Sequence, residues 1–243
     1  MLARKLKKRI EAKMVDVVLA ITKLLDIRKC QFTNMEYERL SDWYLLWAER
    51  ATESYSSHHL LVDLSLSLEE IRLQFRKSYK PLITKSFREW SIEVHESVTE
   101  EVFARFKYLH YEVAGRATRS DASWCKQKSQ IDCKEAFLVT VCDAADQIVG
   151  AGFYNYTCYQ GLYAIGAYKR ELFDKPIGHG VQMKAIETLK KNGVLWYEIG
   201  QKHLQIDQFQ PTDKELSISH FKQGFSNLVV ARQHLIVDMY CSE

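Results

Sequence analysis

Apolar and polar positions follow a helical period at the start of the chain. Eight apolar residues recur every three or four positions between residues 2 and 25, which predicts an amphipathic helix over 2–26. The eight positions are Leu2, Leu6, Ile10, Met14, Val17, Val18, Ile21 and Leu25. We expect this stripe to pack against the rest of the chain, because an exposed stripe of this size would drive association.

The pattern over the next seventy residues predicts helices and strands in irregular order. The predicted strands are 27–32, 59–66 and 90–95, and the predicted helices are 36–52 and 67–88. The second helix starts at a capping box formed by Ser67 and Glu70. Pro81 lies inside it and should bend the helix or end it early.

From residue 99 onward the pattern predicts a longer and more regular series of elements. Helices at 99–113 and from 120 precede three β-rich runs, and the chain closes with helix, strand, helix and strand. The three runs are 136–142, 148–156 and 162–168, and the closing elements are 179–191, 194–199, 212–224 and 228–237. This order is typical of an α+β fold, since strands and helices do not alternate regularly.

Composition narrows the class of protein. The chain has 243 residues, of which 47% are apolar and 27% charged, with a net charge of +3, as in a soluble globular protein. No run of 18 uncharged apolar residues and no secretory signal pattern is present in this sequence, which predicts a cytoplasmic protein without a membrane span. The six cysteines lack Cys-x-x-Cys or zinc spacing, so we expect free thiols and no metal site.

Basic residues are concentrated in two segments. Residues 1–13 carry a net charge of +5, and residues 72–88 carry six Lys or Arg and no acid. Within the second segment, Arg72, Arg76, Lys77 and Lys80 are candidates for binding a polyanion. A solvated helix face is the alternative interpretation.

The segment Lys175-Pro-Ile-Gly178-His179-Gly180 joins a β-rich run to a predicted helix. Glycines at such a turn let backbone amides approach an anionic ligand at the helix N-terminus. The spacing resembles the acyl-CoA loop of GNAT acetyltransferases, with Lys175 in place of the usual Gln or Arg. This resemblance predicts that Lys175, Gly178, His179 and Gly180 bind the donor. A glycine-rich turn without a ligand is the alternative, and His179 could be a base or only a packing residue.

A wider set of segments, over about residues 60–228, resembles the FemAB-type branch of the GNAT superfamily. The segments are Arg76-Lys77-Ser78-Tyr79-Lys80, Leu109-His110, Ala114 to Ser120, Trp124, Gly178-His179, Ala185-Ile186-x-x-Leu189-Lys190-x-x-Gly193, Tyr197-x-x-Gly200 and Ile218 to Phe225. Members of that family are built from two GNAT-like lobes with a cleft between them. The resemblance implies a GNAT-like mixed sheet flanked by helices, with a partial first lobe over 1–97 and one complete lobe over 98–243.

The Phe-Lys-x-Gly-Phe element is the most specific part of the resemblance, because the family places a functional lysine there. This assigns a catalytic role to Lys222, with Phe221 beside it. Physically, Lys222 could stabilise the oxyanion of acyl transfer or hold a donor phosphate. A solvated lysine near a helix C-terminus is the alternative, since lysine is favoured there in any case.

Four further residues are candidates for substrate binding. Arg116 and Arg119 lie in a glycine-containing loop before Trp124, a combination suited to binding a phosphate or carboxylate and stacking on a sugar or base. An interhelix loop with surface charges is the alternative for the arginines. Tyr163 lies on the strand before the glycine loop, where family tyrosines contact the acceptor, and a core tyrosine is the alternative there.

Taken with the resemblance, the sequence predicts an N-acyltransferase of the cytoplasm. It would transfer an acyl or aminoacyl group to an amine of a cell-envelope or surface-polysaccharide precursor, small or nucleotide-linked. No tightly bound cofactor is expected, and acyl-CoA and aminoacyl-tRNA are competing co-substrates. The alternative is a non-catalytic GNAT-fold lobe that binds a partner or nucleotide, motivated by the expected absence of the first lobe's opening strands.

Overall fold

A computed structural model describes residues 2–37, 39–204, 207, 210–226 and 228–239, and in the first helix the side chains of Ile10 and residues 13–24. The helices of these residues are α1 (Leu2–Leu24), α2 (Asp42–Ala48), α3 (Leu68–Gln74), α4 (Tyr79–Glu89), α5 (Glu100–Ala114), α6 (Asp121–Asp132), α7 (Ile177–Lys191) and α8 (Asp213–Gln223). The strands are β1 (Lys29–Thr33), β2 (Ala51–Asp63), β3 (Ser91–His95), β4 (Ala136–Cys142), β5 (Ile148–Tyr156), β6 (Gln160–Tyr168), β7 (Trp196–Lys202) and β8 (Leu228–Asp238).

The strands form one mixed sheet, so the predicted α+β class is confirmed. Strands β3 to β6 are an antiparallel meander in which each strand pairs with the next. Strand β7 then pairs in parallel with β6, with Leu162 opposite Glu198. A parallel neighbour requires a long crossover, and α7 supplies it between β6 and β7.

The chain divides into two compact units. The larger consists of residues 60–201 and 214–229, and the smaller of residues 1–59, 202–213 and 230–243. These units interleave along the chain. The lobe boundary expected after residue 97 derives from the family resemblance and stays a prediction.

Each unit has its own apolar core. In the larger unit, α7 buries Val181 and Ile186 in one cluster, while Phe106, Trp124 and Phe153 belong to a second. In the smaller unit, the core is formed by Val15, Tyr44, Trp47, Leu235, Val237 and Met239. Burial of large side chains of this kind is the main stabilising contribution to each unit.

Packing of α1 corrects an expectation from the sequence. Val15 is fully buried, whereas Ile10, Met14 and Val17 are each more than half exposed. The helix therefore packs through a face adjacent to the predicted one. In the expected stripe, Ile10, Met14, Val17, Ile21 and Leu25 are exposed and Val18 is partly exposed, while the side chains of Leu2 and Leu6 lie outside the described part of the chain.

The basic segment also differs from the prediction, because it forms two helices. Ser67 and Glu70 do form a capping box at the start of α3, as predicted. The break falls between α3 and α4, before Pro81. Pro81 is the third residue of α4, where its missing N–H costs no helical hydrogen bond, and so it is accommodated there.

None of the helices in the described part of the chain is long and apolar enough to cross a membrane.

Candidate functional site

Lys222 lies in the last turn of α8, and its ammonium group faces β6 and β7. The Lys222 Nζ is 5.2 Å from the ring centroid of Tyr163 on β6, within the range of a cation–π contact. Gly200 on β7 has φ of +148°, and a Cβ there would collide with the lysine side chain. Glycine at this position thus provides both the backbone conformation and the space that the lysine occupies.

The surroundings of Lys222 weaken its hold on a proton. Burial disfavours the ammonium form and lowers the pKa of Lys222, while the carboxylate of Glu198 partly opposes this. Glu198 is itself buried and accepts a hydrogen bond of 2.9 Å from Gln160 Nε2. A partly desolvated lysine beside a buried carboxylate is the kind of group found at catalytic sites.

The ring of Tyr163 contacts the Lys222 ammonium group through one face. Its ring stacks on Tyr154 with centroids 5.1 Å apart, and its hydroxyl lies 3.2 Å from that of Tyr168. Burial raises the pKa of Tyr163 to about 12, so the phenol is neutral at physiological pH. The residue is partly exposed, so a ligand contact remains compatible with its packing role.

Arg76 and Tyr79 hold the end of α8 in place. Arg76 donates a hydrogen bond of 3.1 Å to the His220 carbonyl, and the Tyr79 hydroxyl donates one of 3.0 Å to the Phe221 carbonyl. A Cβ at Gly224 would collide with the Tyr79 ring. The predicted basic patch therefore contains one arginine that positions the lysine-bearing turn.

Phe221 and His179 lie together in an aromatic cluster. Their ring centroids are 5.2 Å apart, and Tyr79 and Phe225 complete the cluster. Burial lowers the pKa of His179 to about 4, against a smaller opposing effect of the Pro176 carbonyl. At neutral pH the imidazole is uncharged, and it packs edge-on against its aromatic neighbours.

The glycines expected to line a donor site have close neighbours within the chain. Helix α7 begins at Ile177, so Gly178 and Gly180 lie in its first turn. A Cβ at Gly180 would collide with Ser86 and Ile92, and one at Gly178 would press on Phe221. Close packing is therefore sufficient to explain both glycines, and binding of a donor by their backbone amides stays a prediction.

Lys175 lies just before α7 and is exposed. Its Nζ is 3.1 Å from a carboxylate oxygen of Asp174. Exposed pairs of this kind are weak, so a donor phosphate could displace the carboxylate at small cost.

The predicted loop residues separate into exposed and buried groups. Gly115 ends α5 with φ of +68°, and Arg116 just after it is exposed. Arg119 is partly buried, and the pKa of His110 is lowered mainly by burial and secondarily by the Arg119 charge. Trp124 is only 2% exposed and packs edge-on against Phe106. This burial corrects the expected stacking role of Trp124, because neither face of its indole is open to a ligand.

Two members of the basic patch line a cavity. Arg72 and Lys80, with Leu68, Glu69 and Leu73, surround a space of about 360 Å³. Lys77 is exposed. The four predicted basic residues thus divide into two that line this cavity, one in solvent, and Arg76 against α8.

Sequence reasoning missed Glu198, Gln160 and the function of Gly200. A carboxylate in the middle of the apolar run from Val194 to Ile199 was the available signal for Glu198, since a buried acid in a strand needs a partner. Gly200 was recognised as part of a family motif, without a role. The described residues contain no group of three or more His, Cys, Asp or Glu side chains that could hold a metal.

Comparison with known proteins identifies the fold. No protein-family model matches the chain, and no curated protein matches it. Similar solved structures include FemX, with a TM-score of 0.68 and 12% identity over 91% of this chain and 75% of that one. Another is the C-terminal domain of an Agrobacterium fabrum protein assigned as a lysylphosphatidylglycerol synthetase. It has a TM-score of 0.63 and 12% identity, and the match covers 86% of this chain and 67% of that one.

A third similar structure is a tandem GNAT protein from the clavulanic acid biosynthesis pathway. It has a TM-score of 0.52 and 10% identity, and the match covers 93% of this chain and 68% of that one. This chain thus spans between two thirds and three quarters of the length of each of the three. Identity is too low to transfer an activity, but the agreement in architecture covers most of the chain. The chain therefore has the GNAT-like fold of the FemAB type.

Proposed function

We propose that this protein is an N-acyl- or aminoacyltransferase whose reaction centre is Lys222. The observation that carries the proposal is a partly buried lysine, held over Tyr163 and fitted against Gly200. The family resemblance places the functional lysine at the same position. The complete lobe over 98–243 and the partial lobe over 1–97 are part of this proposal.

The proposed reaction is direct attack of a neutral acceptor amine on a thioester or ester carbonyl. A tetrahedral oxyanion forms as the N–C bond is made. Its collapse breaks the C–S or C–O bond, and the proton lost by the attacking nitrogen ends on the departing sulfur or oxygen of the donor. The Lys222 ammonium stabilises the oxyanion, and its desolvation strengthens that interaction. Phe221 and the aromatic cluster beneath it keep the end of α8 rigid.

Acyl-CoA and aminoacyl-tRNA are the two candidate donors. The open cavity lined by Arg72 and Lys80 supports a polyanionic donor, because its two cations outnumber the single carboxylate on its wall, that of Glu69. For CoA, the supporting features are the first turn of α7 and Lys175. Arg116, Arg119 and Tyr163 are proposed to contact the acceptor.

The proposed acceptor is an amine on a small or nucleotide-linked precursor of the cell envelope or a surface glycan, used in the cytoplasm. The similarity in fold to a protein assigned as a lysylphosphatidylglycerol synthetase, whose named product is a phospholipid, supports an acceptor that belongs to the cell envelope.

Thermal-shift titration distinguishes the donors. The protein is titrated with acetyl-CoA, with aminoacylated tRNA and with uncharged tRNA, because a ligand that binds the folded state raises its melting temperature. The donor identified is then used in a transfer assay against amine acceptors. A protein stabilised by neither donor, with no transfer, would contradict the proposal.

The second candidate is a non-catalytic lobe that binds a partner or nucleotide. The close packing of Gly180 against Ser86 and Ile92 favours it, because the backbone there is fixed by the protein itself. Nucleotide-induced stabilisation without transfer, and without an effect of replacing Lys222, would establish this alternative.

A further inference from the structure

One face of α1 presents five large apolar side chains to solvent. They lie at successive intervals of four, three, four and three residues, which places them in one continuous stripe. Each is between 49% and 85% exposed. The members are Ile10, Met14, Val17, Ile21 and Leu24. We call these five residues the outer stripe of α1.

The smaller unit does not use the outer stripe for its own core. Val15 and Thr22, on another side of the same helix, are buried, and Val15 belongs to the cluster with Tyr44 and Trp47. Isolated exposed apolar residues are ordinary, but five in one row form a surface that calls for a partner.

The same helix is strongly basic. Between Leu2 and Leu24 the sequence contains seven Lys or Arg residues and two acids, a net charge of +5. Lys13 and Lys23 are exposed among the described side chains. The helix is not apolar enough to span a bilayer. A strongly charged helix with one apolar stripe is typical of segments that lie in the membrane interface.

We propose that α1 docks on the surface of an anionic phospholipid bilayer, with the outer stripe inserted below the headgroups. Insertion of a single small apolar element gives weak and reversible binding, and a basic segment supplies the second attraction needed for stable docking. The charge of α1 is complementary to that of the anionic headgroups. The inference is independent of the proposed transferase activity.

A second copy of the chain is the competing occupant, because the four–three spacing also matches a coiled-coil seam. Two observations disfavour it. The outer stripe covers two heptads, whereas coiled coils sustain the pattern over about three or more. A parallel pair would also place two segments of net charge +5 side by side, where like charges repel.

Vesicle co-sedimentation tests the proposal with the full chain. Vesicles of phosphatidylcholine with phosphatidylglycerol are compared with vesicles of phosphatidylcholine alone, at low and high salt. The parent should bind the anionic vesicles, less tightly as salt rises, and the neutral vesicles weakly. Val17→Gln with Ile21→Gln should weaken anionic-vesicle binding by about tenfold or more, since both polar replacements lie in the inserted face.

Ala20→Gln is the matched control, because Ala20 is exposed beside Ile21 but lies outside the outer stripe. It should bind as the parent does. Melting temperatures verify folding, and Ile10→Gln with Leu24→Gln replaces the first pair if that pair lowers stability. Absence of binding to anionic vesicles, or equal binding by parent and stripe variants, would overturn the proposal. The proposal would also be overturned, in favour of a second copy, if the parent did not bind vesicles but formed a concentration-dependent dimer that the stripe variants do not form.

Discussion

At the scale of single residues, the burial of Lys222 has an energetic cost, and the proposed reaction gives it a chemical use. Its ammonium is partly desolvated, which lowers its pKa and makes the folded state less favourable for the charged form. Gly200 and Tyr163 keep the side chain in this position. In the proposed transferase, this cost in stability is the counterpart of a stronger interaction with the oxyanion.

Replacing Lys222 should therefore separate activity from stability. We expect Lys222→Met to lower kcat/KM by about two orders of magnitude or more, as for loss of an oxyanion donor. The melting temperature should stay unchanged or rise, because the variant removes a desolvated charge. Lys214→Met is the matched control, since Lys214 is an exposed lysine on the same helix. A Lys222→Met protein of parental kcat/KM would remove the lysine from the mechanism.

The glycine opposite the lysine provides a second test. Gly200→Ala should reduce both transfer and stability, because its Cβ collides with Lys222 and its φ of +148° is strained for any L side chain. A double-mutant cycle with Lys222→Ala should be non-additive for stability, since the shorter side chain removes the collision but leaves the strain. Strict additivity would show that the two residues do not contact.

His179 should make stability depend on pH. Burial lowers the pKa of His179 in the folded protein to about 4, below the ordinary histidine value of 6.5, so the unfolded chain binds more protons between these two pH values. Stability contributed by the neutral ring is then full above pH 6.5 and falls as the pH drops toward 4. As the pH is lowered through this range, the denaturation midpoint of His179→Phe should fall less steeply than that of the parent. His220→Phe is the control, because His220 is exposed, and its midpoint should fall as steeply as that of the parent.

At the scale of elements, the packing of α7 accounts for Gly180. We expect Gly180→Ala to destabilise the protein by about 1–3 kcal/mol, because the added methyl group overpacks the contact with Ser86 and Ile92. The same change in a Ser86→Ala, Ile92→Val background should cost less, since both colliding atoms are gone. Chemical denaturation measures both. Equal costs in the two backgrounds would contradict the packing explanation.

Two valines on α1 form a natural matched pair. Val15 is fully buried and Val17 is 57% exposed, although both lie in the same helix. We expect Val15→Ala to lower the free energy of unfolding by about 1–3 kcal/mol, and Val17→Ala by less than about 0.5 kcal/mol. Urea denaturation measures both. A larger loss for Val17→Ala would show that the outer stripe contacts the protein itself.

Sequence periodicity located most elements but not all their boundaries. Strand β2 begins at Ala51 rather than 59, because its first residues are small and polar and show no apolar alternation. Strand β2 lies beside β8 in the sheet, a strand distant in sequence, and Ser56 Oγ donates a hydrogen bond to the side chain of Gln233. Likewise, the break after α3 follows from tertiary contacts, including a hydrogen bond from Arg76 N to the Gly224 carbonyl. Neither kind of long-range partner is visible in a local pattern.

The candidate site was predictable only where a motif marked it. Lys222 and Phe221 followed from the family resemblance, and Tyr163 from its place on the strand before the glycine loop. Trp124 looked equally suitable as a ligand contact, but it is buried against Phe106. Exposure of an aromatic ring depends on how helices pack, and so it could not be predicted from residue type and spacing.

At the scale of the whole molecule, the candidate site is assembled from segments far apart in the chain. Arg76, Tyr163, Gly200 and Lys222 come from α3–α4, β6, β7 and α8 in turn. Some 144 residues separate Arg76 from the carbonyl of His220 that it binds. Contacts of such sequence separation form late in folding, because the intervening loop must be closed first. During synthesis on the ribosome, the candidate site therefore cannot form until α8 has emerged, and a nascent chain released before that point would also lack β8, the strand that pairs with β1.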